Sequence, residues 1–143
     1  MSARNVEIVR SAHESWNRRD YAAIVRNFAD RFVYVDHARN LTLNGAEEFR
    51  VWVEAWARAI PDGRIIEAQY IDAGDTVIAQ FTAEGTNDGP LGPFPATGNR
   101  LSLQFCEIVK CDQDGRTLSG GVYYDQYTLF TQLGHIKPLA EAA

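Results

Sequence analysis

The sequence predicts an α+β domain in which three N-terminal helices pack on one face of a curved, mainly antiparallel sheet. Three observations predict it. Apolar residues keep helical spacing over most of residues 5–60. From Arg64 onward they switch to a period of two. Turn signals, Gly74-Asp75 and Asp112-Gln-Asp-Gly115, then separate the alternating stretches closely enough for hairpins. Helices first and hairpin strands after is the order of an α+β fold, not of repeating βαβ units.

Val6, Val9, Ala12 and Trp16 space a helix over residues 5–18, with Asn5 as its cap. The charged Arg18-Arg19-Asp20 breaks it. Asp20 caps a short second helix that buries Ile24, Val25 and Phe28. Phe32-Val-Tyr-Val-Asp-His37 alternates and is rich in β-formers, so it reads as an inserted strand. Asn44 caps a third helix over residues 46–60, whose apolar face carries Phe49, Trp52, Val53, Trp56, Ala57 and Ile60. Pro61-Asp62-Gly63 ends it. Strands follow at Arg64–Ala73 and Thr76–Gly85, then a Gly/Pro-rich loop over residues 86–99, then strands at Arg100–Lys110 and Arg116–Tyr124. Leu129, Phe130 and Leu133 mark one face of a short last helix, and Gly134 stops it. A long sheet curved around a helix makes a cone with one closed end. A pocket in such a cone is mostly apolar with a few placed polar groups.

A length of 143 residues suits a single domain, 1–143, with a proper core. The net charge of −5 and the lack of a basic run argue against nucleic acid and anionic membrane as partners. No stretch approaches the roughly 20 apolar residues of a membrane span, and the N-terminus has no signal-peptide core, so the expected location is cytoplasmic. Cys106 and Cys111 lie five apart, on one strand and its turn, which suits free thiols better than a disulfide. No Cys/His set has zinc-ligand spacing, and no metal is expected.

Asp125 is the only carboxylate in the last strand-to-helix turn, with Tyr123 and Tyr124 before it and Leu129 and Phe130 after. Two readings stand side by side. A carboxylate among apolar neighbours has a raised pKa and can act as general acid or base. Asp is also among the best helix N-caps.

Three segments resemble one family. Trp16-Asn17-Arg18-Arg19-Asp20 is similar to the opening of NTF2-like domains. Gly85-Thr-Asn-Asp-Gly-Pro-Leu-Gly-Pro-Phe-Pro-Ala-Thr-Gly98 resembles the Gly-Thr-His…Gly…Pro-Pro-Thr-Gly segment of SnoaL-like polyketide cyclases, also called ester cyclases. Asp125…Gln132-Leu133-Gly134 is similar to that family's ending. The resemblance implies an NTF2-like cone-shaped barrel, a homodimer or homotetramer, and no metal or organic cofactor. It implies a small hydrophobic substrate, an aldol-type ring closure on a polyketide or related aromatic carbonyl compound, and an acid/base aspartate at Asp125. The chain departs from the pattern at two places. Ser119-Gly120-Gly121 stands where the family has a polar residue and a tryptophan before the final strand. A glycine pair there leaves room in the pocket or bends the strand. Asn87 stands where the family has histidine, and it can hydrogen-bond a substrate without titrating. These departures suit a relative with altered chemistry, such as a cyclase-like polyketide hydroxylase. An epoxide hydrolase and a non-catalytic ligand-binding module are further alternatives.

Other side chains complete the expected substrate site. Trp16, Trp52 and Trp56 are core residues that double as pocket walls in a cone. Gln104 and Tyr123 are possible orienting groups, with Gln104 pointing either inward or to solvent. His37 is either a second acid/base group at the pocket mouth or a solvated strand end. Asp36 is the carboxylate that could pair with Asp125. His13, between Ala12 and Glu14, is expected at the surface, and His135 in the tail.

Overall fold

The switch from helical spacing to alternation becomes a division into two layers. The computed structural model describes residues 2–139. Its elements are α1 (Ser2–Asn17), α2 (Tyr21–Val25), β1 (Phe28–Asp36), β2 (Leu41–Asn44), α3 (Gly45–Ala59), β3 (Arg64–Ala73), β4 (Thr76–Thr86), β5 (Arg100–Cys111), β6 (Thr117–Tyr124) and α4 (Gln126–Leu133). Six strands form one sheet in the order β2-β1-β6-β5-β4-β3. All neighbours are antiparallel except β1 and β6, which run parallel. The chain leaves β1 through β2, α3 and three hairpin-linked strands before β6 returns beside it.

Two differences from the sequence reading concern the first strands. β1 starts at Phe28, where the pattern places a residue of the second helix. The Phe28 ring instead stacks on Phe32, with centroids 3.8 Å apart. β2 is four residues long, too short for its alternation to register against the flanking turn. The expected caps divide: Asn5 lies inside α1, which starts at Ser2, and donates to the Gly74 carbonyl at 3.1 Å instead of capping. Asp20 Oδ1 accepts the Ala23 N–H at 3.1 Å. Asn44 precedes α3, but its side chain makes no cap bond; its own N–H donates to Glu48 at 2.9 Å. Gly134 closes α4 in the left-handed conformation, φ 85°.

The Trp16–Asp20 segment stitches helix to sheet. Asn17 bonds the backbone of Ile65 both ways, receiving its N–H at 2.8 Å and donating to its carbonyl at 3.0 Å. Arg19 donates to the carbonyls of Pro61 and Gly63, at 2.7 Å each, and lies 4.3 Å over the Trp16 ring. The end of α1 is thereby tied to the start of β3.

Register shifts in β1, in β3 and between β5 and β6 bend the sheet toward the helices. The one in β3 holds Glu67 at φ 53°. The layer between helices and sheet contains three apolar groups of buried residues. They centre on Phe32 and Phe49, on Leu129 and Leu133, and on Val77 and Phe81. The loop after β4 is pinned to the end of α3. A Cβ on Gly89 would lie 1.9 Å from the Arg58 carbonyl oxygen, so no side chain fits there. Gly89→Ala should therefore cost about 1–3 kcal/mol by overpacking, at the upper end because the obstacle is backbone. Urea unfolding checks it, and an unchanged midpoint would contradict this account of the loop.

Among the described residues, no helix is long and apolar enough to cross a membrane. None of their His, Cys, Asp and Glu side chains cluster in threes to hold a metal ion. Both cysteines are free.

Candidate active site

The inward positions of β5 are Leu101, Leu103, Phe105, Glu107 and Val109. Four are apolar and one is a carboxylate. That carboxylate opens onto a cavity of about 160 Å³ between α1, α3 and the concave side of the sheet. Trp16, Trp52, Trp56, Phe32, Phe81 and Phe105 supply aromatic wall. Trp16, Trp52 and Trp56 line this cavity and pack against the buried core at the same time. Besides His13, Arg64 and Glu84 are the other ionisable acid and base side chains of the lining, on the paired strands β3 and β4.

Glu107 is held from two sides. His13 Nε2, from α1, lies 2.8 Å from its Oε1. The Tyr34 hydroxyl, from β1, donates to its Oε2. The other imidazole nitrogen, Nδ1, lies 2.8 Å from the Tyr70 hydroxyl on β3. The His13 and Glu107 side chains keep only 10% and 13% of their surface exposed. His13 is therefore not the surface residue expected from its polar neighbours. It follows Val9 by four residues and shares that inward face of α1.

Electrostatics follow from this arrangement. Burial alone would raise the Glu107 carboxyl. The hydrogen bond and positive charge of His13, with the Tyr34 hydroxyl, outweigh it and hold Glu107 below the usual carboxylate range. Burial, then the Glu107 charge and hydrogen bond, push Tyr34 well above an ordinary phenol. Tyr34 thus remains a hydroxyl donor at neutral pH. Tyr70 is pushed up to about 12, first by burial and then by Glu107, Glu14 and Glu7, against the lowering by Arg10.

The glycine pair has a different consequence from the empty space its sequence suggests. A Cβ on Gly120 would lie 3.0 Å from two ring carbons of Tyr34 and 3.1 Å from the Ile108 carbonyl. A Cβ on Gly121 would lie 2.9 Å from His37 Nε2. The space is already filled, by a phenol inside the cone and by an imidazole outside it. Gly120 admits the ring that reaches Glu107.

The other sequence candidates fall outside the cavity. Along β6, Val122 and Tyr124 point inward, so Tyr123 and Asp125 point outward. Asp125 is exposed and caps α4, accepting the Tyr127 N–H at 3.2 Å and the Thr128 hydroxyl at 2.5 Å. The apolar enclosure expected around Asp125 is absent, because Tyr124 turns its ring inward and Tyr123, though on the same face, is itself exposed. Gln104 also lies on the convex face, bonded to Thr82 at 2.8 Å. Gln104, Tyr123 and Asp125 do meet, but in a shallow open depression on the outside of the sheet. His37 is exposed on that face and stacks on Tyr123 at 4.1 Å.

Asn87 is fully buried and fully occupied. Its amide donates to the carbonyls of Ala59 and Gly89 at 3.2 and 2.8 Å, and its oxygen accepts from Thr97 N and Oγ1 at 3.0 and 3.1 Å. It fastens the loop and has no donor left for a substrate. Asp36 is likewise fully buried, but it accepts from Trp52 Nε1, the Tyr124 hydroxyl and the Arg39 N–H at 3.0, 2.9 and 3.2 Å. It anchors a cavity wall instead of pairing with Asp125. His135 packs between Phe94 and Phe130. Asp125→Ala should accordingly cost about 1 kcal/mol through the lost cap, and Asp125→Asn much less. A loss well above that range on thermal unfolding would show that Asp125 does more than cap.

Glu107, His13, Tyr34 and Tyr70 were not among the sequence candidates. A signal existed for Glu107: it is the single carboxylate in phase with the apolar positions of its strand.

Comparison with known proteins agrees with this architecture. A crystal structure assigned as a SnoaL-like polyketide cyclase from Jannaschia sp. CCS1 superposes with a TM-score of 0.86 at 19% identity. That match covers 96% of this chain and 95% of that one. AclR from Streptomyces galilaeus, assigned as a hydroxylase, superposes with a TM-score of 0.84 at 19% identity over 99% of this chain and 87% of its own. A protein of ketosteroid isomerase-like fold from Catenulispora acidiphila gives a TM-score of 0.77 at 22% identity, over 90% and 92% of the two chains. These likenesses establish the NTF2-like cone. No curated protein matches the chain. The model of the family described as SnoaL-like polyketide cyclase matches residues 6–133, and the chain belongs to that family.

Proposed function

We propose that the protein is an acid/base enzyme that acts on an apolar, ring-containing carbonyl compound and closes a ring by an aldol-type step without a cofactor. The observation that carries this reading is Glu107, an ionised carboxylate in an aromatic-walled cavity with a phenol donor attached.

A carboxylate has about four lone-pair sites, and His13 and Tyr34 use two of them. Another can take the proton alpha to a substrate carbonyl. The resulting enolate attacks a second carbonyl of the same molecule, and the new alkoxide recovers a proton from the His13–Glu107 pair. Atoms balance, since the product is an isomer of the substrate. A depressed pKa makes Glu107 a weak base. The rate then depends on holding the developing oxyanion, which the Tyr34 hydroxyl can do by turning from Glu107 to the substrate oxygen.

The test uses β-tetralone, an aromatic ketone with exchangeable alpha protons, in deuterated water. Mass spectrometry should find protein-dependent deuterium wash-in that disappears in Glu107→Gln. Wash-in at the protein-free rate would refute the reading. A second reading is a ligand-binding module without turnover. It is favoured by both Glu107 oxygens already holding hydrogen bonds, and it predicts saturable ketone binding with no wash-in.

A further inference from the structure

We propose that His13 and Tyr70 form a proton path joining Glu107 inside the cavity to water outside the cone. The inference rests on Glu107 as the acid/base group. Its geometric basis is a continuous chain of hydrogen bonds. Glu107 Oε1 meets His13 Nε2 at 2.8 Å, and His13 Nδ1 meets the Tyr70 hydroxyl at 2.8 Å. Each imidazole nitrogen serves one neighbour, so the ring spans the gap between them. Glu107 and His13 line the cavity, whereas Tyr70 does not. Tyr70 is half-buried on β3, with the Arg10 guanidinium 5.0 Å over its ring.

The chain has one open end. Among the described residues, Glu107 has side-chain hydrogen bonds to His13 and Tyr34 alone. Tyr34 is 3% exposed and, among the described residues, its hydroxyl bonds nothing beyond Glu107, so a proton passed to it goes no further. The charged groups at the outer end are Arg10, Glu7 and Glu14. Asp36 and Tyr124 flank the Tyr34 end.

Release proceeds from the tautomer of the charged pair in which the shared proton has moved from Nε2 to Glu107, leaving a protonated carboxyl and a neutral His13 with its proton on Nδ1. The carboxyl O–H breaks as N–H forms on Nε2. The Nδ1–H breaks as O–H forms on Tyr70, and the original Tyr70 proton goes to water. One proton has moved from Glu107 to solvent, and no other atom changes hands. Uptake reverses each transfer and restores the starting tautomer, so the ring never has to turn. An alternation of release and uptake is what an enolisation followed by reprotonation requires.

Tyr70→Phe tests the path, because it removes the hydroxyl and keeps the ring under Arg10. Two measurements are made on the full-length protein. First, deuterium wash-in into β-tetralone should fall about tenfold or more with KM unchanged, and imidazole buffer should restore part of it. Second, exchange of the His13 ring proton with water is followed by saturation transfer on ¹⁵N-histidine-labelled protein. It should slow about tenfold if Tyr70 is the exit. A hydroxyl that only pinned the ring would have the opposite effect, since its loss would leave the proton less protected and speed exchange. Unchanged or faster exchange overturns the path. If the wild type shows no wash-in, the proposed enzymatic reading fails, and the exchange measurement still decides the path by itself. Wild-type wash-in that survives Tyr70→Phe unaltered overturns the path and leaves Glu107 in place.

Discussion

Glu107→Gln is expected to slow alpha-deuterium exchange by about 10²–10⁴-fold, the range lost with a positioned general base. The substitution is nearly isosteric, and the amide oxygen can still accept from Tyr34. What it cannot do is take up a proton. Its NH₂ group must also face His13 Nε2, which then becomes an acceptor if the contact is kept. The comparison that gives the result meaning is Asp125→Asn, which changes a carboxylate on the outside of the sheet. Its exchange rate should equal that of the wild type. A folded Glu107→Gln protein with full activity would remove Glu107 from the chemistry. A collapse of activity in Asp125→Asn would restore the acid that the family resemblance implies.

His13→Ala is expected to destabilise the fold by about 3–5 kcal/mol, because it leaves a buried carboxylate without the imidazole that bonds it. The pH dependence provides a check on sign. In the wild type, Glu107 is held below its unfolded value of about 4.3. Its contribution is therefore complete above that pH and is lost as pH falls through the lower folded value. Without His13 the lowering influence of its charge and hydrogen bond disappears, and burial, which raises the carboxyl, dominates. The contribution of Glu107 then changes sign: it is fully present in acid and is lost as pH rises through the raised folded value. Urea unfolding of both proteins from pH 3 to 7 reads the two slopes. Parallel slopes would mean that His13 and Glu107 are not coupled.

Much of this site was legible in local pattern, and the rest was not. The two-residue period assigns Val122 and Tyr124 to one face of β6, and that parity alone turns Asp125 outward. The same period marks Glu107 as a carboxylate among inward apolar residues. His13 follows Val9 at helical spacing, although its polar neighbours suggest a wet surface. Residue type at the turn points to Asp125, whereas the phase of the strand points to Glu107.

The sequence by itself determined the order of helices and strands, the turns that end them, the aromatic face of α3, and the family. Those depend on residues close along the chain, where spacing and cap chemistry act directly. Only the tertiary structure decided which inward carboxylate is available. Asp36 and Glu107 are both inward on their strands, but Asp36 is taken up by hydrogen bonds from Trp52, Tyr124 and the Arg39 N–H. Glu107 meets an imidazole 94 positions away in the chain and a phenol 73 away. Those encounters depend on how far the bulged sheet bends toward α1 and on a glycine at 120 that leaves the Tyr34 ring its place. Shape of that kind is a sum over the whole sheet, and no local stretch of residues encodes it.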